Sequence, residues 1–272
     1  MKLIAIDLDG TLLDTNHQLS DKNKAAVRRA HDAGIIIVIA TGRSLFSVKE
    51  IFADLAIDGY MIALNGSFIA KIDKRQQVTK LFRERVDRKK LIQAFEIAME
   101  HQITFIATNE LGSDRVLIED GNELVQEFLV NRPDLRNRQI NEMASLLSER
   151  FNEYLKAAFT NKDRERLIEL RSNLQEKGID TIFSDTYYIE FLPYGVNKGT
   201  ALGRLCEYIQ LPLSETAAFG DQENDIEMLQ MSGVGLAMGN AQPNVKAAAD
   251  RITTDNDHNG VADGILNFLL KE

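Results

Sequence analysis

Short apolar runs alternate with helical patterns at the amino-terminal end of the chain, and this alternation constrains the fold more than any other feature. Apolar, β-branched runs at residues 3–8, 35–40 and 60–64 have the length and composition of buried strands. Between them, residues 20–33 and 44–55 place apolar side chains at helical spacing. A strand–helix–strand–helix–strand order predicts a parallel α/β sheet with right-handed crossover connections.

The middle of the chain departs from this order. Residues 67–83 predict a hairpin, and residues 84–190 mix helical and strand-like patterns in the manner of an α+β domain. Alternation returns afterwards, so we expect one sheet domain, formed by residues 1–83 and 191–272, that the α+β domain interrupts. Within the insertion the predicted helices are 87–101 and 162–177, and the strand-like runs are 103–107, 116–118, 154–159 and 181–192.

The net charge narrows the possible partners. The 272 residues carry 41 acidic and 32 basic side chains, a formal charge of -9, which disfavours nucleic acids and membrane surfaces because both are polyanionic. No run reaches the ~18 uncharged apolar residues of a membrane helix, and Asp7 interrupts the first apolar run too early for a signal peptide. We therefore expect a cytoplasmic protein with no nucleic-acid or membrane partner and no obligate protein partner.

Two carboxylates follow the first predicted strand. Asp7 and Asp9 lie within the sequence Asp-Leu-Asp-Gly-Thr-Leu-Leu at residues 7–13. Open α/β sheets bind ligands at the carboxyl ends of their strands. Two like charges at that edge repel unless a cation or a proton joins them, and a hard cation such as Mg²⁺, held by carboxylates, phosphate and water, would do so. Capping of a turn is the alternative explanation, and the pair of carboxylates favours the metal.

A second acidic cluster follows a later strand. Asp221, Asn224 and Asp225 lie in residues 220–225, directly after a strand predicted at 216–219. Acidic residues also suit the first turn of a helix, because the helix dipole is positive there. That alternative leaves unexplained why two such clusters occur in one sheet.

Three further positions suit an anion. Thr41 and Gly42 end the second predicted strand, where a hydroxyl group and a glycine N–H can cradle an anion, although an ordinary strand-to-helix turn explains them equally well. Asn65 follows the third strand and either faces the same crevice or makes a turn. Lys198 begins a predicted helix, an unfavourable end for a cation. This position suggests an anionic partner, with simple solvation as the alternative.

Two other kinds of site are disfavoured. The glycines of residues 233–239 nearly match the dinucleotide-binding fingerprint, but the last glycine falls one residue late and the run comes at the wrong end of its strand. The four histidines, His17, His31, His101 and His258, lack metal-ligand spacing. We expect them at surface or helix positions, which disfavours a histidine-based mechanism.

Taken in order, four segments resemble the four motifs of the haloacid dehalogenase-like hydrolases. They are Asp7-x-Asp9-Gly-Thr, Thr41-Gly-Arg43, Lys198-Gly and Gly220-Asp-x-x-Asn-Asp225. The inserted domain, preceded by Asn65-Gly66, resembles the class IIB cap of the Cof-like sugar phosphatases. The resemblance implies a Rossmann-like core with an α+β cap, and Mg²⁺-dependent hydrolysis of small phosphomonoesters, such as sugar phosphates or phosphorylated cofactors, through a phospho-aspartyl intermediate.

The resemblance also implies a role for each motif residue. Asp7 would be the nucleophile and a metal ligand, Asp221 would complete the metal site, and Asp9 would act as acid and base while its backbone carbonyl binds the metal. Because Asp9 would stand next to a metal-bound nucleophile, it could keep its proton at neutral pH. The residues implied to bind or surround the phosphate and the metal are Thr41, the amides of Leu8 and Gly42, Lys198, Asn224 and Asp225, with Arg43 and Asn65 in support.

Two rival functions follow from the same residues. A sugar phosphomutase would use the same nucleophile but return the phosphate to a sugar, giving an isomer and little free phosphate. A non-enzymatic switch that accepts phosphate on an aspartate also carries an acidic cluster. Such a switch explains neither the inserted domain nor the second half of the chain.

Overall fold

The computed structural model of the protein describes residues 1–110, 112–118, 135–149 and 153–270. Contacts divide the chain into a core unit, Met1–Arg83 with Gly195–Glu272, and an inserted unit, Glu84–Tyr194. Residue 190, the boundary expected from the sequence, lies inside a strand of the inserted unit, Tyr188–Phe191. The chain therefore returns to the core unit after that strand ends. Within the described residues, no helix combines the length and the apolar character that a membrane span requires.

The first part of the core unit alternates strands and helices, as predicted. Ser20 caps the first helix, because its hydroxyl oxygen accepts a hydrogen bond from the N–H of Asn23 at 3.1 Å. Gly34 ends it with a φ of +84°, a conformation that glycine adopts at little cost. The elements are β1 (Leu3–Ile6), α1 (Asp21–Asp32), β2 (Ile36–Ala40), α2 (Leu45–Leu55), β3 (Gly59–Ala63), β4 (Phe68–Ile72) and β5 (Val78–Arg83).

The inserted unit is an α+β structure built on one sheet. Its elements are α3 (Arg88–Glu100), β6 (Thr104–Asn109), β7 (Gly112–Val116), β8 (Leu135–Asn137), α4 (Ile140–Ser148), β9 (Lys156–Thr160), α5 (Arg164–Glu176), β10 (Thr181–Asp185) and β11 (Tyr188–Phe191). The strand order is β10-β11-β9-β6-β7-β8, antiparallel except between β7 and β8. Of the run predicted at 116–118, only Val116 lies in a strand. It ends β7, whose earlier residues are small or polar and show no hydrophobic strand pattern.

One face of the inserted sheet packs against helices. Alternate residues of β6 and β9 form an apolar layer, in which the ring centroid of Phe105 lies 5.1 Å from that of Phe95 on α3 and 5.5 Å from that of Phe159. Edge contacts of this kind add to the stability that burial of the rings provides. The hydrophobic effect therefore holds α3 and the sheet together.

An ionic cluster joins β7, β8 and the segment before β9. The buried carboxylate of Asp114 accepts hydrogen bonds from Arg136 (2.9 Å to each oxygen), from Arg138 (2.7 Å) and from the hydroxyl of Tyr154 (2.9 Å). Burial raises the pKa of Asp114, but these hydrogen bonds outweigh it and hold the pKa below its usual range. The charged form of Asp114 therefore stabilises the fold of the inserted unit.

Replacement of Asp114 by asparagine is expected to lower the free energy of unfolding of the inserted unit at pH 7 by about 2 kcal/mol, because bonds to a charged acceptor are lost. The depressed pKa makes this contribution complete above the unfolded pKa of about 4 and lost as the pH falls through the lower folded pKa. Hydrogen exchange of the β6 and β9 amides measures the difference. It should shrink at acidic pH, whereas Asp180→Asn, at an exposed position, should behave as wild type at every pH.

The second part of the core unit completes the parallel sheet. Its elements are α6 (Lys198–Tyr208), β12 (Thr216–Gly220), α7 (Ile226–Met231), β13 (Val234–Ala237), α8 (Pro243–Ala248), β14 (Arg251–Ile252) and α9 (Gly260–Gly264). The strand order is β14-β13-β12-β1-β2-β3-β4-β5, parallel from β14 to β3. Cys206 on α6 is buried, and burial raises the pKa of its thiol to about 11.

Candidate active site

Four neighbouring strands end in polar residues at the same edge of the core sheet. Asp221 follows β12, Asp7 follows β1 and Thr41 follows β2. Asn65 lies in the helical turn Leu64–Gly66 after β3. The strands lie side by side in that order and run parallel, so the sheet brings together residues that are far apart in the sequence.

Lys198 links Asp7, which follows β1, to Asp225, which lies in the segment after β12. Its Nζ donates to Oδ1 of Asp7 at 2.6 Å and to Oδ1 of Asp225 at 2.7 Å, and only 1% of its side chain is exposed. Burial lowers the pKa of Lys198, but the two carboxylates outweigh that effect and raise it above its usual range. The alternative that this lysine is merely solvated is therefore wrong. It is a buried cation paired with two anions.

Asp225 is fixed by the backbone as well as by the lysine. Its Oδ2 accepts from the N–H groups of Asp221 and Gln222, each at 3.0 Å. Its side chain is fully buried. Asp225 thereby holds the loop after β12 in place and orients the Lys198 ammonium group towards Asp7.

Three carboxylates crowd together beside Lys198. One oxygen each of Asp7, Asp221 and Asp225 lies within 4.8 Å of the others. Burial, followed by the charges of Asp225, Asp221 and Asp9, raises the pKa of Asp7 well above its usual value, although Lys198 opposes this. Burial and Asp225 raise the pKa of Asp221 to about 7. Among the described residues, this cluster sets three carboxylates against one ammonium group, and the excess negative charge favours binding of a cation.

The loop after β1 fits closely around Asp221. Oδ1 of Asp221 accepts from the hydroxyl of Thr11 at 2.8 Å. Gly10 has a φ of +74°, and a Cβ atom there would lie 2.4 Å from Oδ2 of Asp221, so a glycine is required. Asn240 donates to the carbonyl of Gly10 at 2.8 Å. Buried carboxylate oxygens with excess negative charge are the ligands that a hard divalent cation such as Mg²⁺ prefers, so the residues present fit that ion.

The side chain of Asp9 lies outside the carboxylate cluster. Nε of Arg43 donates to Oδ2 of Asp9 at 2.8 Å, Nη2 of Arg43 contacts Oδ1, and Nδ1 of His17 lies 3.3 Å from Oδ1. Partial burial alone would raise the pKa of Asp9, but the bonds from His17 and Arg43 and the charge of Arg43 hold it below its usual range. The expectation that Asp9 keeps its proton is therefore wrong for this arrangement, because two basic side chains stabilise the carboxylate.

His17 is a site residue that the sequence did not reveal. The sequence predicts a surface or helix position, and the side chain is 38% exposed, but its ring also contacts Asp9. His17 has a φ of +58° in the turn that follows β1. The bridge between Leu13 and Leu19 closes that turn. No strand end or spacing rule marks such a position.

Two amide side chains connect the second and fourth motifs. Nδ2 of Asn224 donates to Oδ1 of Asn65 at 3.0 Å, and the backbone N–H of Asn65 donates to the carbonyl of Thr41 at 3.0 Å. Oδ1 of Asn224 is buried without a hydrogen-bond partner in the described part of the chain. Gly42 faces the amide of Asn65, and the carbonyl of Leu8 accepts from the N–H groups of the following turn. The structure thus brings every predicted motif residue to one sheet edge.

The sequence profile of the haloacid dehalogenase-like hydrolases matches residues 4–265. The chain belongs to this family. The family resemblance, the α/β fold class and the prediction that the chain is an enzyme are confirmed, and the enzyme is a hydrolase.

Curated relatives and solved structures agree with that membership. The chain is 33% identical over 275 residues to the 5-amino-6-(5-phospho-D-ribitylamino)uracil phosphatase YcsE of Bacillus subtilis, covering 99% of this chain and 96% of the relative. It is 32% identical over 292 residues to the phosphatase YwpJ of the same organism, covering 99% and 100%.

Two solved structures show the similarity in three dimensions. A haloacid dehalogenase-like hydrolase from B. subtilis has 29% identity and a TM-score of 0.85 over 99% of this chain and 100% of that structure. The subclass IIB sugar phosphatase BT4131, 23% identical, shares the fold with a TM-score of 0.83 over 98% of this chain and 99% of that structure.

Proposed function

We propose that the protein is a Mg²⁺-dependent phosphatase of small phosphomonoesters that uses Asp7 as its nucleophile. The observation that carries the proposal is the buried pair between Lys198 and Asp7 within a cluster of three carboxylates. A carboxylate that attacks a phosphate dianion faces repulsion between anions, and catalysis requires nearby positive charge to offset it. Relatives named as phosphatases support the same reaction.

The carboxylates of Asp7 and Asp221 and the backbone carbonyl of Asp9 would hold the Mg²⁺ ion, with Asp225 close to it. When bound, the ion supplies positive charge that offsets the repulsion between the nucleophile and the phosphate. Lys198 contributes a second positive charge, which the geometry directs at the nucleophilic carboxylate.

In the first step, an oxygen of Asp7 forms a bond to phosphorus and the bond between phosphorus and the ester oxygen breaks. The leaving oxygen takes a proton from Asp9 and departs as an alcohol, which leaves an aspartyl-phosphate. The hydroxyl of Thr41 and the amides of Gly42 and Leu8 would bind the phosphoryl oxygens during transfer. Arg43 and His17 stabilise the carboxylate form of Asp9 in the structure. To carry that proton, the side chain of Asp9 must first move away from both residues.

In the second step, water attacks the aspartyl-phosphate. Asp9 takes a proton from that water, the bond between the Asp7 oxygen and phosphorus breaks, and phosphate leaves with the carboxylate of Asp7 restored. Asp9 suits this role as a base, because Arg43 and His17 stabilise its carboxylate form. Division of one displacement into two steps is the advantage of the covalent route.

The proposed substrates are small phosphorylated metabolites in the cytoplasm, such as sugar phosphates or phosphorylated cofactors. The relative YcsE is named for a phosphoribityl compound of this kind. The inserted unit would act as a class IIB cap, supplying specificity contacts and excluding bulk water from the reaction. The core unit would then supply the catalytic groups.

The test is hydrolysis of p-nitrophenyl phosphate. We expect release of free phosphate with Mg²⁺ and loss of at least about 100-fold in kcat/KM after EDTA treatment, because the excess charge of three carboxylates is then unbalanced. Readdition of Mg²⁺ should restore the rate. Undiminished turnover in EDTA would remove the metal from the proposal, and an absence of phosphate release from any phosphomonoester would overturn the proposed function.

A further inference from the structure

The segment between β13 and α8 contacts both loops that carry the acidic residues of the site. We call residues 238–242 the connecting segment, and it lies wholly within the core unit. The backbone N–H of Met238 donates to the carbonyl of Gly220, at the end of β12, at 3.0 Å. The side chain of Asn240 instead contacts the loop after β1. The connecting segment therefore joins the ends of two neighbouring strands, β1 and β12.

The side chain of Asn240 bridges an oxygen of each loop. Its Nδ2 donates to the backbone carbonyl of Gly10 at 2.8 Å and lies 3.5 Å from Oδ2 of Asp221. The two hydrogens of one amide NH₂ group can serve both oxygens. Gly10 follows Asp9 directly in the loop after β1, and Asp221 begins the loop after β12. One amide group therefore links the two loops beside the carboxylate cluster.

The orientation of this amide is fixed from its other side. Oδ1 of Asn240 accepts from the backbone N–H of Asn256 at 3.1 Å. Because an amide oxygen only accepts and its nitrogen only donates, this bond directs the NH₂ group towards Gly10. Asn256 is itself buried, and its Nδ2 donates to the carbonyl of Leu13, at the far end of the same loop, at 3.0 Å. The donor of Asn240 is therefore held in place by its surroundings.

Donors are needed here because oxygen atoms converge. Both acceptors of Asn240 lie within 3.5 Å of one nitrogen atom, and the loop approaches Asp221 so closely that a Cβ atom at Gly10 would lie 2.4 Å from Oδ2. Oxygen atoms that carry negative charge repel one another at short range. Thr11 donates to Oδ1 of Asp221 at 2.8 Å. Thr11 and Asn240 together offset this repulsion, one at each oxygen of the carboxylate.

We propose that Asn240 is a positioning residue for the metal site. The proposed function assigns the carbonyl of Asp9 and the carboxylate of Asp221 to the Mg²⁺ ion, and Asn240 bonds to the backbone next to the first and contacts the second. It thereby holds the two loops where one cation can bind both. Groups that orient metal ligands contribute about 10- to 100-fold to metal affinity. The inference rests on the proposed function for the metal site, and it adds a residue that none of the four sequence motifs contains.

The experiment titrates Mg²⁺ into the substrate-free protein and measures the heat of binding. Asn240→Ala removes the donor, and Asn240→Leu also fills its space, so that a water molecule cannot replace it. Asn240 is exposed, so both variants should fold. We expect the Kd for Mg²⁺ to be at least about tenfold higher in both variants than in the wild type. Asn244→Ala, at an exposed position on α8, should keep the wild-type Kd.

Kinetics separate positioning of the metal site from a general loss of structure. In the Asn240 variants, the Mg²⁺ concentration for half-maximal hydrolysis of p-nitrophenyl phosphate should rise by the same factor as the Kd. The KM for p-nitrophenyl phosphate at saturating Mg²⁺ should equal that of the wild type. An unchanged Kd in both variants, or a KM that rises as much as the Kd, would overturn the inference alone. A wild-type protein that binds no Mg²⁺ would overturn the metal site of the proposed function and the inference with it.

Discussion

The variant Asp7→Asn is expected to lose at least about 10³-fold in kcat for p-nitrophenyl phosphate, because an amide oxygen is a poor nucleophile and the covalent route is closed. Asparagine has the shape of aspartate, and Lys198 keeps its bond to Asp225. The fold should therefore survive the change. Steady-state release of phosphate measures the effect, and acid quenching during turnover should trap a phosphorylated protein in the wild type alone.

The matched control for Asp7→Asn is Asp32→Asn. Asp32 ends α1, and its side chain is 81% exposed. The same change of charge at that position should leave kcat unaltered, because the carboxylate is solvated and distant from the sheet edge. Asp7→Asn with more than a tenth of wild-type turnover would show that another group attacks the phosphorus.

The sequence predicts the core of the fold because its local signals agree with one another. The runs that form β1, β2 and β3 are apolar and bounded by cap and turn residues, such as Ser20 and Gly34. Such runs can pair in only a few ways that bury both faces of a sheet. The rule that ligands bind at the carboxyl edge then places the motif residues together.

The inserted unit is harder to predict from sequence. In β7, residues 113–115 are serine, aspartate and arginine, and all three are buried. No hydrophobic pattern can signal such a strand, because its burial depends on contacts with other strands. Nε of Arg136 on β8 donates to Asp114, and Oδ1 of Asn137 on β8 accepts from Nε of Arg115. Those contacts exist only after the chain has folded.

The Asp9 contacts show the same limit within the site. Arg43 follows β2, the strand next to β1 in the sheet, and its guanidinium group contacts Asp9 from there. His17 contacts Asp9 from the turn that follows β1. The protonation state of Asp9 depends on both neighbours, so the position of Asp9 at the strand end is predictable from the sequence but its charge is not. The contacts of Arg43 and His17 with Asp9 form only in the folded protein, and they favour the carboxylate over the protonated form that the sequence predicts.

Lys198→Met is expected to separate the structural and catalytic roles of the buried charges. Removal of the ammonium group leaves three carboxylates crowded within 4.8 Å of one another. Loss of one partner from a buried ionic group costs about 3–5 kcal/mol, which corresponds to a fall in Tm on the order of 10 °C for a unit of this size. The rate should fall by about 10²–10³-fold in kcat, because positive charge is lost at the transferred phosphate. Calorimetry and phosphate release measure the two effects.

The control is Lys22→Met. Like Lys198, Lys22 lies in the first turn of a helix, but its side chain is exposed, so the variant removes a lysine from a helix start without disturbing a buried ion pair. Its Tm and kcat should equal those of the wild type. The double variant Lys198→Met/Asp225→Asn removes one carboxylate as well, and it should regain part of the lost stability but none of the rate. Recovery of both would mean that Lys198 serves only to neutralise Asp225. Recovery of stability alone places its catalytic effect at Asp7, to which its second hydrogen bond is directed.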